Sequence, residues 1–363
     1  MRIRRWGLAL IVVLYGTSAS SPRAAAQDAP LAARVDRFFA QWDKPDSPGC
    51  AVAIVKDGRI VHARGYGVAD LEHDIPITPA SVFYVGSLSK QFTAMIVALL
   101  AQQGTLSLDD DIRKYLPELP QYDTPITIRH LVHHTSGLPE YMALLARAGW
   151  RPDAPFGNRD VLDIIARQRQ LSFRPGDQFS YSNTGYTLLA LIAERAARTP
   201  FEELAETRIF SPLGMKSTHF HADAGRIVKQ RAYAYERASD GSLRLAPPVP
   251  TRVGAGGIFT TVEDLARWDQ NSYDGRVGGA ALIKQITTPG TLNGGRPLEY
   301  AFGLEVRARR GLQVVEHGGD LVGYHAYMTR LPDRRLSVMC LCNLGTINPG
   351  PLARAAADIY LDR

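Results

Sequence analysis

The sequence has few cysteines, little net charge and no apolar run long enough to cross a membrane, and each shortage excludes a class of protein. With 3 cysteines in 363 residues, the chain is not a small disulfide-framework protein. No apolar run reaches the roughly 20 residues that a membrane-spanning helix needs. A composition of 45% apolar and 21% charged residues is typical of globular proteins. The length predicts about two domains or one large composite domain.

The first 26 residues are typical of a secretory signal peptide. Arginines near the start precede an apolar run, residues 6–15, and small residues end the segment at Ala26. The full chain carries a formal charge of +6, but this leader holds four arginines and no acidic residue, so the remainder carries +2. That charge is too small to indicate a nucleic-acid partner. We therefore expect an exported protein, periplasmic or secreted, with no stable membrane anchor.

Cys50, Cys340 and Cys342 are an odd number of cysteines for an exported protein. Cys340 and Cys342 lie two residues apart in an apolar, strand-like run, so their side chains share one face. The pattern favours three buried thiols, with a disulfide between Cys50 and either of the other two as the alternative in an oxidising compartment. A metal site is disfavoured, because no nearby histidine completes a set of four ligands.

Apolar patterning predicts strands near both ends of the chain and helices between them. The strand-like segments are residues 50–55, 59–63, 303–307, 312–316, 324–331 and 336–344. The first two flank Asp57-Gly58, a dipeptide that favours a hairpin turn. The segments with helical spacing are residues 31–42, 89–103, 186–198 and 353–361.

This order predicts an α/β fold of the α+β type. Strands from the N-terminal part, residues 31–105, and the C-terminal part, residues 250–363, are expected to form one antiparallel sheet of five or more strands that helices flank. Residues 106–249 form a mostly helical subdomain inserted between these parts. After the signal peptide, residues 1–26, the chain from 27 to 363 is expected to form one composite domain.

Ser87 and Lys90 form the first candidate catalytic pair. At the start of a helix, residues three apart share a face, so the lysine amine can reach the serine hydroxyl. A serine hydroxyl becomes a good nucleophile only when a nearby base takes its proton. The helix N-terminus also favours the anion that develops during attack. The same spacing arises by chance at an ordinary capped helix start.

Tyr181 and Asn183 precede a helix and form the second candidate. Tyrosine is a weak base at its usual pKa of about 10, but an adjacent Lys90 ammonium favours the phenolate. Asn183 is suited to hydrogen-bond a substrate amide together with the lysine. A tyrosine beside an asparagine is also common in ordinary turns.

His317, Gly318, Gly319 and Asp320 follow the end of a predicted strand and form the third candidate. Paired glycines let a ligand approach the strand backbone, where a backbone N–H can complete an oxyanion hole. The histidine offers a charge that switches near neutral pH. By itself, the segment also fits a glycine turn beside an exposed histidine.

In combination, the three segments resemble the motifs of the serine β-lactamase and penicillin-binding-protein superfamily, in particular its class C β-lactamase-like branch. The three motifs match at residues 85–93, 181–183 and 317–319. Other stretches that agree are residues 128–131, 134–138, 212–215 and 256–265. The resemblance covers essentially the whole chain after the leader, and it implies a β-lactamase/transpeptidase-like fold that needs no cofactor and no metal.

Carried over to this chain, the resemblance implies that Ser87 is the acylated nucleophile and that Lys90 keeps it deprotonatable. Tyr181 would act as general base and later activate the hydrolytic water, while Asn183 would hold the substrate amide. The backbone N–H groups of Ser87 and Asp320 would form the oxyanion hole. The implied function is an exported serine hydrolase that forms an acyl-enzyme with an ester, an amide or a D-amino-acid peptide.

Two positions depart from the class C β-lactamase pattern. His317 replaces a lysine, and Gly318 replaces a hydroxyl residue that helps to bind the β-lactam carboxylate. Both changes favour ester, amide or peptide substrates over efficient β-lactam hydrolysis, and the sequence identifies no arginine as a substitute carboxylate ligand. If His317 must be neutral to accept a hydrogen bond, turnover rises between roughly pH 6 and 7.

Three other interpretations have less support. His130, His133 and His134 share a helical face, as a zinc site requires, but no glutamate lies between them, so a packed helix end is favoured. The chain lacks the G-x-S-x-G of a conventional α/β-hydrolase. A catalytically silent or penicillin-binding protein of the same fold remains the alternative to a hydrolase. Substrate identity depends on loops, residues 142–159 and 237–253, whose shapes the sequence does not predict. The sequence also does not indicate the oligomeric state.

Overall fold

The computed structural model describes residues 22–150 and 156–361, and for residues 22–29 it describes the backbone alone. The predicted signal peptide, residues 1–26, therefore lies almost entirely outside the described residues. None of the helices in the described ranges combines the length and the apolar character that a membrane crossing requires.

The strands form one large sheet and several short pairings. In chain order they are β1 (Cys50–Lys56), β2 (Arg59–Tyr66), β3 (Val68–Asp70), β4 (Ile75–Pro76), β5 (Phe83–Tyr84), β6 (His219–Phe220), β7 (Tyr235–Arg237), β8 (Leu243–Leu245), β9 (Ile258–Thr260), β10 (Glu305–Arg309), β11 (Leu312–Leu321), β12 (Tyr324–Leu331) and β13 (Leu336–Cys342). The large sheet has the order β10-β11-β12-β13-β1-β2, and its neighbouring strands are antiparallel. This confirms the predicted sheet, which joins strands from both ends of the chain.

Helices cover the sheet and occupy the middle of the chain. They are α1 (Pro22–Phe39), α2 (Lys90–Gln102), α3 (Ile128–Val132), α4 (Tyr141–Arg147), α5 (Asn158–Ile165), α6 (Asn183–Ala197), α7 (Phe201–Ala205), α8 (Ser211–Leu213), α9 (Val262–Asp274), α10 (Gly279–Ile286) and α11 (Pro349–Leu361). The short helices α3, α4 and α5 lie in the stretch where proline and glycine interrupt the sequence.

Strand β1 lies inside the core, and its alternating side chains join two separate apolar clusters. Val52 and Ile54 pack with residues of α1 and α11, whereas Ala51 and Ala53 belong to the larger cluster that contains α2 and α6. Because successive side chains of a strand point to opposite faces, this apolar run buries both sides of the sheet. The larger cluster surrounds α2, so the core fixes the helix that follows Ser87.

Local signals in the sequence predict the hairpin correctly and place the end of β11 wrongly. Asp57 and Gly58 have φ values of 52° and 77°, the left-handed conformation that a two-residue hairpin turn requires. Strand β11 runs on to Leu321, so the segment from His317 to Asp320 lies inside the strand and not after it. Glycine has a low propensity for strands, so the sequence predicts that the strand ends before this segment. In the structure, pairing with β12 keeps the segment extended.

A disulfide joins the strands β1 and β13. Cys50 and Cys342 face each other in the antiparallel register, with Cα atoms 4.0 Å apart, while Cys340 remains a buried thiol. The expectation of three buried thiols is therefore wrong, and the alternative with a Cys50 disulfide is correct. The sequence does not decide whether Cys340 or Cys342 is the partner of Cys50, because a shift of two residues in the register of β1 and β13 would exchange one for the other.

Candidate active site

Ser87 lies in a short 3₁₀ turn, Gly86–Ser89, which leads directly into α2. Gly86 has a φ of 50°, and a Cβ at this position would lie 2.6 Å from the backbone nitrogen of Asp320. Glycine therefore allows the turn to adopt a left-handed conformation and to lie directly against β11. The serine is thus held between a helix start and the sheet, as the motif spacing predicts.

The side chain of Lys90 is fully buried and has three polar neighbours. Its Nζ atom lies 3.0 Å from Ser87 Oγ, 2.8 Å from Asn183 Oδ1 and 2.8 Å from the carbonyl oxygen of Ala255. Burial lowers the pKa of Lys90 to about 7, although the charge of Glu140 acts in the opposite direction. Near neutral pH, a substantial fraction of Lys90 is therefore the uncharged amine.

Tyr181 borders this lysine, with Lys90 Nζ 4.8 Å from the centre of the tyrosine ring. Removal of the phenol from water raises the pKa of Tyr181 above its usual value, and a hydrogen bond with Ser87 opposes the rise. The structure therefore does not support the expected phenolate. The reason is that the loss of water around the phenol favours its neutral form.

Glu140 fixes the start of α6, where Asn183 lies. Its Oε2 atom accepts hydrogen bonds from the Asn183 backbone N–H at 2.7 Å, the Ser182 hydroxyl at 3.2 Å and the Thr184 N–H at 3.3 Å. A carboxylate at a helix N-terminus satisfies free backbone donors and interacts favourably with the helix dipole. Sequence reasoning missed Glu140, because it lies 43 residues from Asn183 in the chain and no local motif marks it.

His134 supports the Tyr181 loop from the other side. Its ring centre lies 4.4 Å from that of Tyr181, and its Nδ1 accepts the Ser182 backbone N–H at 3.0 Å. A φ of 58° at His134 is an unfavourable left-handed conformation for a residue other than glycine. The rings of His130 and His133 contact other backbone groups. The three histidines therefore have separate partners, which favours packing over a shared zinc ion.

His317 is buried inside β11. Its Nε2 lies 3.1 Å from the hydroxyl of Tyr300, and its Nδ1 lies 2.6 Å from the Gly318 carbonyl oxygen. Burial, together with the charge on Lys90, lowers the pKa of His317 to about 4. The predicted titration of His317 between pH 6 and 7 is therefore wrong, because the ring is enclosed by protein, and this burial outweighs the opposing effect of the hydrogen bond to Gly318.

Strand β11 passes so close to the serine that only glycine fits at one position. A Cβ on Gly319 would lie 2.9 Å from the Ser87 backbone nitrogen and would overlap the backbone before it. The backbone of Asp320 therefore lies beside that of Ser87, as a shared oxyanion hole requires. The Asp320 side chain is exposed, and its Oδ1 lies 2.5 Å from His325 Nδ1. At Gly318 an added Cβ would meet nothing closer than 3.3 Å.

Ser87 opens into a small pocket of about 100 Å³. A larger and more apolar pocket of about 300 Å³ adjoins it. The residues that line both are Tyr141, Met142, Pro250, Arg252 and Leu321. Met142 and Arg252 belong to the two segments that the sequence identifies as substrate-determining loops, although Met142 lies in helix α4. No motif in the sequence marks Arg252 as a binding residue. Its position between the two pockets follows from the way the two segments pack together.

Comparison with known proteins identifies relatives over most of the chain. The family model described as Beta-lactamase matches residues 35–361. A D-aminopeptidase of Gluconobacter oxydans is 33% identical over 298 residues, which are 82% of this chain and 56% of that protein. Penicillin-binding protein 4* of Bacillus subtilis is 31% identical over 309 residues, which are 80% of this chain and 67% of that protein. The chain thus spans little more than half the length of the D-aminopeptidase.

A solved structure shows the same fold. The octameric penicillin-binding protein homologue from Pyrococcus abyssi superposes with a TM-score of 0.81 at 27% sequence identity. The superposition covers 91% of this chain and 77% of the archaeal one. The fold expected from the three motifs, an antiparallel sheet flanked by helices with a helical insertion, is therefore confirmed.

Proposed function

This chain belongs to the beta-lactamase family, and we propose that it is a serine hydrolase that cleaves amides or esters of D-amino acids through an acyl-enzyme on Ser87. The observation that carries the proposal is the buried Lys90 amine, which lies 3.0 Å from Ser87 Oγ and has a pKa of about 7. The similarity to a D-aminopeptidase supports the substrate class.

Lys90 is proposed as the base that activates Ser87. A neutral amine has two N–H groups and one lone pair. The Asn183 side-chain oxygen and the Ala255 carbonyl oxygen accept the two N–H groups, which leaves the lone pair for the Ser87 hydroxyl. As Ser87 Oγ bonds to the substrate carbonyl carbon, its proton moves to Lys90 Nζ.

The backbone N–H groups of Ser87 and Asp320 are proposed to bind the substrate carbonyl oxygen while it becomes negatively charged. The approach of Gly319 to the Ser87 nitrogen supports this pairing. Donors that are already oriented toward such an oxygen are commonly worth about 10²- to 10³-fold in rate. Within the described ranges, the hydrogen-bond partner of Asn183 Nδ2 is the Met142 sulfur at 3.7 Å, a weak acceptor, so Nδ2 is available for a substrate carbonyl.

Tyr181 is proposed as a proton relay and not as the resident base. Its raised pKa keeps the phenol protonated at neutral pH, so it can give a proton to the leaving amine or alkoxide and regain one from Lys90. The bond from the acyl carbon to the leaving group breaks in this step. Water then attacks the acyl carbon, its proton passes to Lys90, and Ser87 Oγ regains a proton as it leaves.

Weak action on β-lactams and export belong to the same proposal. The neutral ring of His317 and the bare Gly318 offer a β-lactam carboxylate neither an ammonium nor a hydroxyl group. A disulfide between Cys50 and Cys342 suits an oxidising compartment outside the cytoplasm, in agreement with the leader-like first 26 residues.

A fluorophosphonate probe tests the activated serine directly. Intact-mass spectrometry of residues 27–363 is expected to show one probe adduct on the wild type and on Ser242→Ala, an exposed serine, but none on Ser87→Ala. Labelled enzyme is then compared with unlabelled enzyme for turnover of a D-amino-acid amide, an ester and a β-lactam.

Either of two results would redirect the assignment. The absence of an adduct on the wild type contradicts the proposed serine–lysine pair. The second candidate is a penicillin-binding protein without turnover, which the similarity to Penicillin-binding protein 4* of Bacillus subtilis supports. It is favoured if the probe forms an adduct and penicillin acylates the protein stably, but no substrate is turned over.

A further inference from the structure

The apolar pocket of about 300 Å³ beside Ser87 has no part in the steps above. Three large apolar side chains that line it are unusually exposed: Met142 at 50%, Trp150 at 41% and Val322 at 45%. Exposed apolar side chains that gather around one concavity commonly mark a binding site. Because five residues line both this pocket and the pocket at Ser87, one molecule can occupy both while it acylates Ser87.

Arg252 lies where the two pockets meet, and the protein holds it in place. Its Nε donates to the Tyr141 hydroxyl at 3.1 Å, and its guanidinium carbon lies 5.1 Å from the centre of the Phe156 ring. The next residue, Val253, exchanges two hydrogen bonds with the side chain of Asn158, at 2.9 and 3.1 Å. The guanidinium is therefore oriented before any ligand arrives.

The charge of Arg252 has no counter-ion in the part of the chain that the structure describes. Its terminal nitrogens also have no hydrogen-bond acceptor there, since the Tyr141 hydroxyl takes only Nε. Among the described residues that line the apolar pocket, Arg252 is the one charged side chain. Such a guanidinium attracts a carboxylate or carbonyl oxygen and repels an ammonium group.

We propose that this pocket holds the acyl part of the substrate, and that Arg252 selects acyl groups whose amino nitrogen is acylated over those with a free ammonium group. The side chain of the D-residue packs against the apolar walls of the pocket. Arg252 donates hydrogen bonds to a carbonyl or carboxylate oxygen of the group that acylates the amino nitrogen. The proposal rests on the proposed function of Ser87, and it separates this protein from an enzyme that requires a free amino terminus.

Three p-nitroanilides of D-phenylalanine test the selection: the N-succinyl, the N-acetyl and the free amino compound. At pH 7 most of the free amino groups are protonated, since their pKa is about 8. Wild-type kcat/KM is expected to fall in that order, with succinyl about tenfold above acetyl, the value of one charge-assisted hydrogen bond. Arg252→Gln is expected to remove the difference between succinyl and acetyl, whereas Arg244→Gln, an exposed arginine of β8, keeps it.

Calorimetric binding to the Ser87→Ala variant separates this inference from the proposed function, because it needs no turnover. N-succinyl-D-phenylalanine amide is expected to bind at least about tenfold more tightly than D-phenylalanine amide, and Arg252→Gln is expected to abolish the preference. Preference for the free amine, or an unchanged succinyl preference in Arg252→Gln, overturns the inference. Binding with this preference but without any hydrolysis by the wild type overturns the proposed function alone.

Discussion

The pKa of Lys90 predicts how the hydrolysis of an uncharged ester depends on pH. Burial lowers that pKa to about 7, and only the neutral amine can take the proton from Ser87. The value of kcat/KM is therefore expected to rise as the pH rises through about 7. His317 contributes no inflection between pH 5 and 8, because its own pKa is lowered to about 4.

The size of the effect follows from the fraction of neutral amine. With a pKa of about 7, roughly half of the lysine is neutral at pH 7, about one tenth at pH 6 and about one hundredth at pH 5. Thus kcat/KM falls about tenfold for each pH unit below 7 and reaches a plateau above about pH 8. An unperturbed lysine, with a pKa of about 10.4, would move the rise more than three pH units higher.

The assay uses p-nitrophenyl butyrate, an ester without ionisable groups, from pH 5 to 9 at constant ionic strength. Three proteins are compared: the wild type, His317→Gln and Glu140→Gln. The His317 variant is expected to keep the inflection near pH 7 even where its rate changes. The Glu140 variant is expected to move the inflection to lower pH, because the charge of Glu140 raises the pKa of Lys90. Circular dichroism establishes that each variant is folded.

Two outcomes would refute the reasoning. A wild-type profile that is flat down to pH 5, or that first rises above pH 9, would show that Lys90 does not titrate near neutrality. Loss of the inflection in His317→Gln would assign the titration to the histidine, which is the interpretation that the sequence favours and the structure does not.

Three further predictions concern packing. Gly319→Ala is expected to slow fluorophosphonate labelling of Ser87 by about 10²-fold or more, because the added Cβ overlaps the backbone of the nucleophile's turn. Asp269→Asn is expected to lower the free energy of unfolding in urea by about 3–5 kcal/mol, because it leaves the buried Arg330, whose Nε lies 2.6 Å from Asp269 Oδ1, without a counter-charge. Reduction of the disulfide between β1 and β13 is expected to cost about 2–5 kcal/mol in the same assay, since the bond joins residues 292 apart.

Each of these predictions has a matched control. Gly294→Ala adds a Cβ that meets nothing within 4 Å, and its labelling rate should equal that of the wild type. Asp274→Asn, at the end of the same helix as Asp269, should change stability by less than about 0.5 kcal/mol. Cys340→Ala should leave the effect of reductant intact. Equal effects in a variant and its control would contradict the structural reason given for that variant.

The sequence by itself determines the features that depend on neighbours a few residues away. Ser87 and Lys90 are three residues apart at a helix start, so helical geometry alone brings their side chains together. Asp57-Gly58 can adopt the left-handed turn that pairs β1 with β2, whatever surrounds it. The unbroken apolar run of β1, residues 50–55, likewise fits a strand that is buried on both faces.

The tertiary structure alone decides the properties that depend on contacts between distant segments. Asn183 and Ala255 enclose the Lys90 amine, although they lie 93 and 165 residues away, and the proposed role of Lys90 as base depends on this enclosure. Burial keeps His317 neutral, and its Nε2 is hydrogen-bonded to Tyr300, 17 residues away in the chain. The apolar pocket of about 300 Å³ exists because the segments that carry Met142 and Arg252 meet. The pKa of a side chain, the partner of a cysteine and the shape of a pocket all depend on which groups surround a side chain in the folded protein. Tertiary packing decides those neighbours, and the spacing of residues along the chain does not reveal them.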